Sequence, residues 1–212
     1  SGSMDDYCVC SNINTCTGCI GTCKICDAKA AAKYFVDLMN PILDRSGVAS
    51  YSSTATLNQG LTFNQPIVKT AIDSLITGGT TAIGSGINTA NTELINNGRG
   101  GAVWVEILLT NGQENQGSDP EGRAQDAANA GIIIYTIGLG SGVNENLLKQ
   151  IANITGGKYY FAPSSSDLQA IYDEISQEVL NIAGVNVTVT DYIPSYAEYV
   201  PGTLNPSDDC TY

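Results

Sequence analysis

Residues 102–110 read AVWVEILLT, and the polar loop 111–117, NGQENQG, follows directly. One carboxylate, Glu106, interrupts an otherwise apolar run. Such a run is what a parallel strand shows when helices cover both of its faces, whereas a half-exposed strand alternates. Downstream, Asp119 and Pro120 form an N-cap and a first helical position, and an Ala-rich helix follows. Residues 132–139, IIIYTIGL, are a second buried run. The two runs are therefore expected as adjacent strands in the interior of one sheet.

The same reading extends in both directions. Leu147–Ala152 reads as a helix and Lys158–Ala162 as a third strand. Ser166 and Gln169 have capping-box spacing ahead of a final helix with Leu168, Ile171, Ile175 and Val179. Upstream, Asp27 is expected to cap a helix whose stripe is Ala31, Phe35, Leu38, Met39 and Ile42, with Pro41 in its last turn. Val48–Leu57 reads as one strand and Leu61–Phe63 as a short edge strand. Pro66 opens a helix carrying Val68, Ala71, Ile72 and Leu75. Gly78-Gly79-Thr80-Thr81 breaks the pattern before a small-residue helix from about Ile83 to Leu94. Strands alternating with helices predict an α/β fold with a doubly wound, mostly parallel sheet. From Val185 to Thr190 the text alternates instead, as a half-buried antiparallel strand does. The chain thus divides into an α/β domain over 1–183, with a cysteine-rich insertion at about 5–26, and a β-rich repeat or linker beginning at 184–212.

Composition restricts function. The net charge is −12, and no histidine is present. An acidic surface repels nucleic acid and anionic lipid, so neither is an expected partner. Insertion of this chain into a membrane is not expected either, because no apolar run approaches the roughly 20 residues needed to span one. Without histidine, Ser/His and Cys/His nucleophile pairs are impossible. Cys8, Cys10, Cys16, Cys19, Cys23 and Cys26 crowd one segment, with Cys210 far away. Two readings stand for the segment. An even cluster reads as disulfides in an oxidising compartment, hence an extracellular or cell-surface location. The pairs Cys16-x-x-Cys19 and Cys23-x-x-Cys26 also have metal-ligand spacing, though the lack of histidine favours disulfides. Asn153 and Asn186 begin N-x-S/T glycosylation triplets.

Several segments, taken together, resemble the von Willebrand factor A (VWA) family and the similar integrin I domains. They are DAKAAAKYFVDLM at Asp27–Met39, GGTTAIGSGI at Gly78–Ile87, VEILLTNGQEN at Val105–Asn115 and GIIIYTIGLG at Gly131–Gly140. The stretch LLKQIANITGGKYYFAPSSSDLQAIYDEI, from Leu147, continues the match. The opening Ser1-Gly2-Ser3-Met4 is similar to the end of the family's first motif, D-x-S-G-S-M; it also reads as a cloning scar ending in a start methionine. The tail VNVTVTDYIP resembles the start of a repeat in microbial surface proteins.

The resemblance implies a metal-ion-dependent adhesion site carried by Ser1, Ser3, Thr80 and Asn111. It also implies an aspartate ahead of Ser1 and another where Asn111 stands. A carboxamide replaces an anion at that place, so the site is expected to be degenerate. No cofactor is therefore expected in this chain, with Mg²⁺ or Ca²⁺ restored if an upstream aspartate is present. The family's central first strand is likewise expected upstream of residue 1. The function implied is adhesion or structural assembly through a protein partner or through self-association, not catalysis.

Overall fold

The computed structural model describes residues 4, 10–11, 16–19 and 23–184. Helix α1 (Lys24–Leu38) leads into strands β1 (Ser46–Tyr51) and β2 (Ala55–Thr62), followed by helices α2 (Gln65–Asp73) and α3 (Ile83–Asn97). Strand β3 (Trp104–Thr110), helix α4 (Pro120–Asn129), strand β4 (Ile132–Leu139), helix α5 (Glu145–Thr155), strand β5 (Tyr159–Ala162) and helix α6 (Leu168–Gly184) complete the described chain. The fold is the expected Rossmann-like α/β arrangement.

β3, β4 and β5 form a parallel sheet in that order, with Trp104 opposite Ile132 and Thr110 opposite Gly138. β4 is buried on both sides. Tyr135, Ile137 and Leu139 pack with Ile25, Ala28 and Ala31 of α1 and with Leu168, Ile171 and Ile175 of α6. Ile132 and Ile134 pack with Ile83 and Ile87 of α3, Ala124 and Ala127 of α4, and Leu148 and Ile151 of α5. Each of these isoleucine side chains contributes about 1.5–3 kcal/mol by leaving water. Two buried threonines tie strands and helices together. Thr136 Oγ1 donates to Leu148 O at 2.9 Å, and Ile134 N donates to Thr155 Oγ1 at 2.9 Å. The second bond matters because β5 pairs with β4 only from Thr136 onward, so Thr155 serves a strand amide that β5 does not reach.

Four local expectations are corrected. α1 begins at Lys24 with Cys23 as N-cap, so Asp27 lies inside the first turn, where it accepts a hydrogen bond from Ser165. The helix ends at Leu38 and leaves Ile42 exposed, because the residue before a proline avoids helical backbone and Pro41 cannot continue the ladder. Val48–Leu57 is not one strand. β1 and β2 are an antiparallel pair turning at 52–54, with Tyr51 opposite Ala55, and most of the expected edge strand Leu61–Phe63 is the end of β2. The capping box uses Ser164 and Asp167, one turn of 3-10 helix ahead of α6, and not Ser166 and Gln169. The strand expected from Val185, with all of 185–212, lies beyond the described residues.

The interior position expected for 102–110 also needs correction. Among the described residues β4 is the central strand and β3 is at the margin, because β1–β2 forms a separate sheet not hydrogen-bonded to β3. Tyr51 connects the two, its hydroxyl donating to Leu109 O at 2.7 Å. Glu106 lies on β3 with 8% of its surface exposed and Oε1 unpartnered. Burial pushes its carboxyl up to about 8.

A prediction follows from Glu106. The folded chain keeps a proton that the unfolded chain releases from about pH 4.5 upward. The stability linked to Glu106 is therefore full below that pH and is lost as pH rises toward 8, at about 1.4 kcal/mol per pH unit. Glu106→Gln should flatten this decline and leave the variant more stable at pH 9, by on the order of a few kcal/mol. Urea unfolding of both proteins from pH 5 to pH 9 checks it, and parallel curves would show that Glu106 is not the source.

Candidate functional site

In an open α/β sheet the loops after the carboxyl ends of the strands make the ligand-facing edge. Here these include the turn after β1 and the loop 111–118 after β3, and the loop 74–82, which joins α2 to α3, is hydrogen-bonded to both. Gly79 adopts φ +65°, left-handed backbone that favours glycine, and delivers Thr80 to the edge. Thr80 Oγ1 donates to Ser53 Oγ at 2.9 Å, and Thr80 N donates to the same oxygen at 3.3 Å. This ties the threonine of the loop 74–82 to the turn after β1.

The loop 111–118 is fastened to the start of α3. Ala82 is the N-cap of that helix and has no side-chain oxygen to offer its free amides. Glu114 supplies the cap from a distance. Its Oε2 accepts from Ile83 N at 2.6 Å and from Ser118 Oγ at 2.7 Å, and Oε1 accepts from Gln116 N at 2.7 Å. Burial opposes the charge on Glu114, but the hydrogen bonds from Ser118, Gln116 and Ile83 together hold its carboxyl below the usual range. Asn115 adds a reciprocal pair, with Thr81 N donating to its Oδ1 at 2.9 Å and its N donating to Thr81 O at 3.1 Å. Gly84 makes the close approach feasible, since a Cβ there would lie 2.1 Å from Ser118 O.

The site residues expected from sequence are distributed unevenly. Thr80 and Asn111 are both described and stand at this edge; Ser1 and Ser3 lie outside the described residues. Asn111 is buried, and neither Oδ1 nor Nδ2 has a hydrogen-bond partner among the described residues. An orphaned Oδ1 suits a cation, but the Nδ2 beside it is a donor, and the described donors at Thr80 and Asn111 are neutral. Glu114, the carboxylate fastened across these loops, is engaged in capping. These residues by themselves do not fit a Mg²⁺ or Ca²⁺ site, which needs anionic oxygen ligands to offset dehydration of the ion. Glu114 was missed in the sequence reading; its signal was an uncapped helix start after a glycine loop.

The cysteine segment is built separately. Cys10 is bonded to Cys19 and Cys16 to Cys26, and Cys23 is also in a disulfide. Cys8 and Cys210 lie outside the described residues. Of the glycosylation triplets, Asn153 is exposed on α5, whereas Thr155 of the same triplet is buried in the bonds to Ile134 and Asn186 lies outside the described residues. No helix among the described residues is long and apolar enough to cross a membrane.

Comparison with known proteins agrees with the geometry. The profile of the von Willebrand factor type A domain matches residues 18–174. A UPF0353 protein of Mycolicibacterium gilvum is 28% identical over 182 residues, covering 74% of this chain and 54% of that protein. The chain thus spans about half the length of the curated relatives it matches. Among solved structures, proximal thread matrix protein 1 from the mussel byssus is 28% identical with a TM-score of 0.66, covering 74% of this chain and 41% of that one. A second structure of the mussel protein, described as having a zinc-occupied MIDAS motif, aligns at 23% identity and TM-score 0.63, covering 72% of this chain and 42% of that one.

The cap from Glu114 predicts a measurable stability. Glu114→Ala should destabilise the chain by about 1–3 kcal/mol at pH 7, the cost of leaving buried amides and a hydroxyl without their acceptor. Because the folded carboxyl lies below its ordinary value of 4.5, its contribution is present above that pH and is lost as pH falls through the folded value. Denaturant midpoints of both proteins at pH 7 and pH 3 should therefore converge in acid. An undiminished gap at pH 3 would locate the effect elsewhere.

Proposed function

Because the chain belongs to the von Willebrand factor type A family, we propose that it is an adhesion or structural-assembly module, outside the cell or at its surface. It binds a protein partner or further copies of itself, and its metal-ion-dependent adhesion site is degenerate. The observation that carries this reading is the loop edge held by Glu114, which presents the exposed, uncharged side chains of Ser53, Gln113, Asn115 and Gln116 around Thr80. A pre-ordered polar surface of this kind loses little entropy on docking. Domains of this family act in adhesion and protein interaction, and the mussel relative is described as a matrix protein of the byssal thread, which supports an assembly role. The disulfides support an oxidising location.

Beads coated with the chain test the reading. They should cluster with one another or attach to the surface of cells that produce this protein, with the same efficiency in chelator. A charge placed on the edge by Gln113→Arg should weaken attachment by at least about tenfold. Beads that bind neither copies nor cells speak against the reading.

A second reading is favoured by one observation, the buried and unpartnered carboxamide of Asn111. With an aspartate upstream of Ser1, the edge becomes a Mg²⁺-dependent ligand site in which Ser1, Ser3, Thr80 and Asn111 supply oxygens. On the first reading, the isolated chain takes up Mg²⁺ and Ca²⁺ only weakly, and Asn111→Asp raises the affinity, strongly so where the upstream aspartate is also present. Calorimetric titration with Mg²⁺ and Mn²⁺ distinguishes the two. Tight binding by the unaltered chain, lost on Thr80→Ala, would favour the second.

A further inference from the structure

We propose that, once its disulfides are reduced, the cysteine segment is a tetrahedral thiolate site for a divalent cation of the zinc class, with Cys10, Cys19, Cys23 and Cys26 as ligands. The four Sγ atoms all lie within 4.8 Å of one another. Sulfurs belonging to different disulfides already stand at ligand spacing, Cys10 Sγ to Cys23 Sγ at 3.9 Å and Cys19 Sγ to Cys26 Sγ at 3.8 Å. A cation holding four thiolates at about 2.3 Å requires sulfurs about 3.8 Å apart, because a tetrahedron's edge is about 1.6 times its bond. Two edges of that tetrahedron are therefore in place while the disulfides are closed. Reduction lets the Cys10 and Cys19 sulfurs separate to the same spacing and releases Cys26 from Cys16.

The local structure suits thiolates. Cys23 is the N-cap of α1 and Cys26 lies in its first turn, where free amides and the positive end of the helix stabilise negative sulfur. The spacing Cys23-Lys24-Ile25-Cys26 is that of structural zinc ligands. Both cysteines are buried in the cluster that contains Ile25, Ala28 and Leu168, so half of the ligand set is anchored in the domain core. With no histidine in the chain, sulfur is the soft ligand available.

The chemistry balances with a dithiol as reductant. It gives two electrons and two protons to each protein disulfide and leaves as a cyclic disulfide; the cation then displaces one proton from each ligating thiol. The segment thus has two mutually exclusive closures, covalent in oxidising surroundings and metal-bound in reducing ones. This site is separate from the loop edge, and its test is independent of the proposed function.

The full chain, reduced under argon with a phosphine, is titrated with Co²⁺ while the absorption of tetrahedral cobalt thiolate is recorded. One Co²⁺ per chain is expected after reduction and none before, with Zn²⁺ displacing it. Cys23→Ser should weaken binding by at least about tenfold, while Cys16→Ser leaves the spectrum unchanged. A reduced chain that takes up no Co²⁺, whether circular dichroism finds it folded or unfolded, overturns the proposal. So does a Cys23→Ser chain that binds like the wild type, or a Cys16→Ser chain as impaired as Cys23→Ser.

Discussion

Covering β4 on both faces is the constraint from which the rest of the described domain follows. A strand whose two faces both carry Ile, Leu and Tyr cannot leave either face to water, so one helical layer has to form on each side. α1 and α6 meet Tyr135, Ile137 and Leu139; α3, α4 and α5 meet Ile132 and Ile134. Packing at that density leaves few polar atoms inside, and those that remain are assigned. Thr136 and Thr155 sit in the interior with their hydroxyls bonded to backbone, Thr136 to Leu148 O of α5 and Thr155 to Ile134 N, which β5 does not reach. The exceptions among the described residues are Asn91, Glu106, Asn111, Tyr159 and Tyr160, each with a buried side-chain atom left unpartnered.

The loop edge depends on that frame and adds an electrostatic element. Strands β1 and β3 and helix α3 deliver three loops to one end of the domain, but the loops are held there by hydrogen bonds, chiefly those of Glu114. A helix without a local cap and a loop carboxylate solve each other's problem, since the amides gain an acceptor and the charge gains donors. This carboxylate is therefore occupied. Thr80 and Asn111, which stand at the same edge, are neutral.

The cysteine segment obeys a different physics. It packs against the α1–α6 side of the core through Cys23 and Cys26, yet its closure is covalent and responds to the redox state of its surroundings. In the proposed metal-bound closure the Cys10–Cys23 and Cys19–Cys26 spacings are kept, while the Cys10 and Cys19 sulfurs move apart.

Elements whose identity rests on local rules were legible in the sequence. The apolar run of β4 matched residue for residue, Asp119 with Pro120 started α4, and Pro66 stands in the first turn of α2. The family's motifs were equally plain, because they are contiguous strings. Features that join residues distant in the chain were not. Nothing in 46–62 alone announces a hairpin in place of one strand, since its turn is three small hydroxyl residues that suit either. Nor does any short-range pattern connect Glu114 to Ile83, Asp27 to Ser165, or Tyr51 to Leu109. Sequence by itself determined which segments are strands and helices and which loops carry the polar chemistry, because propensity, capping and burial act over a few residues. Tertiary structure alone decided which carboxylate is occupied, which carboxamide is left without a partner, and which sulfurs lie at ligand distance, because those outcomes depend on groups that only folding brings together.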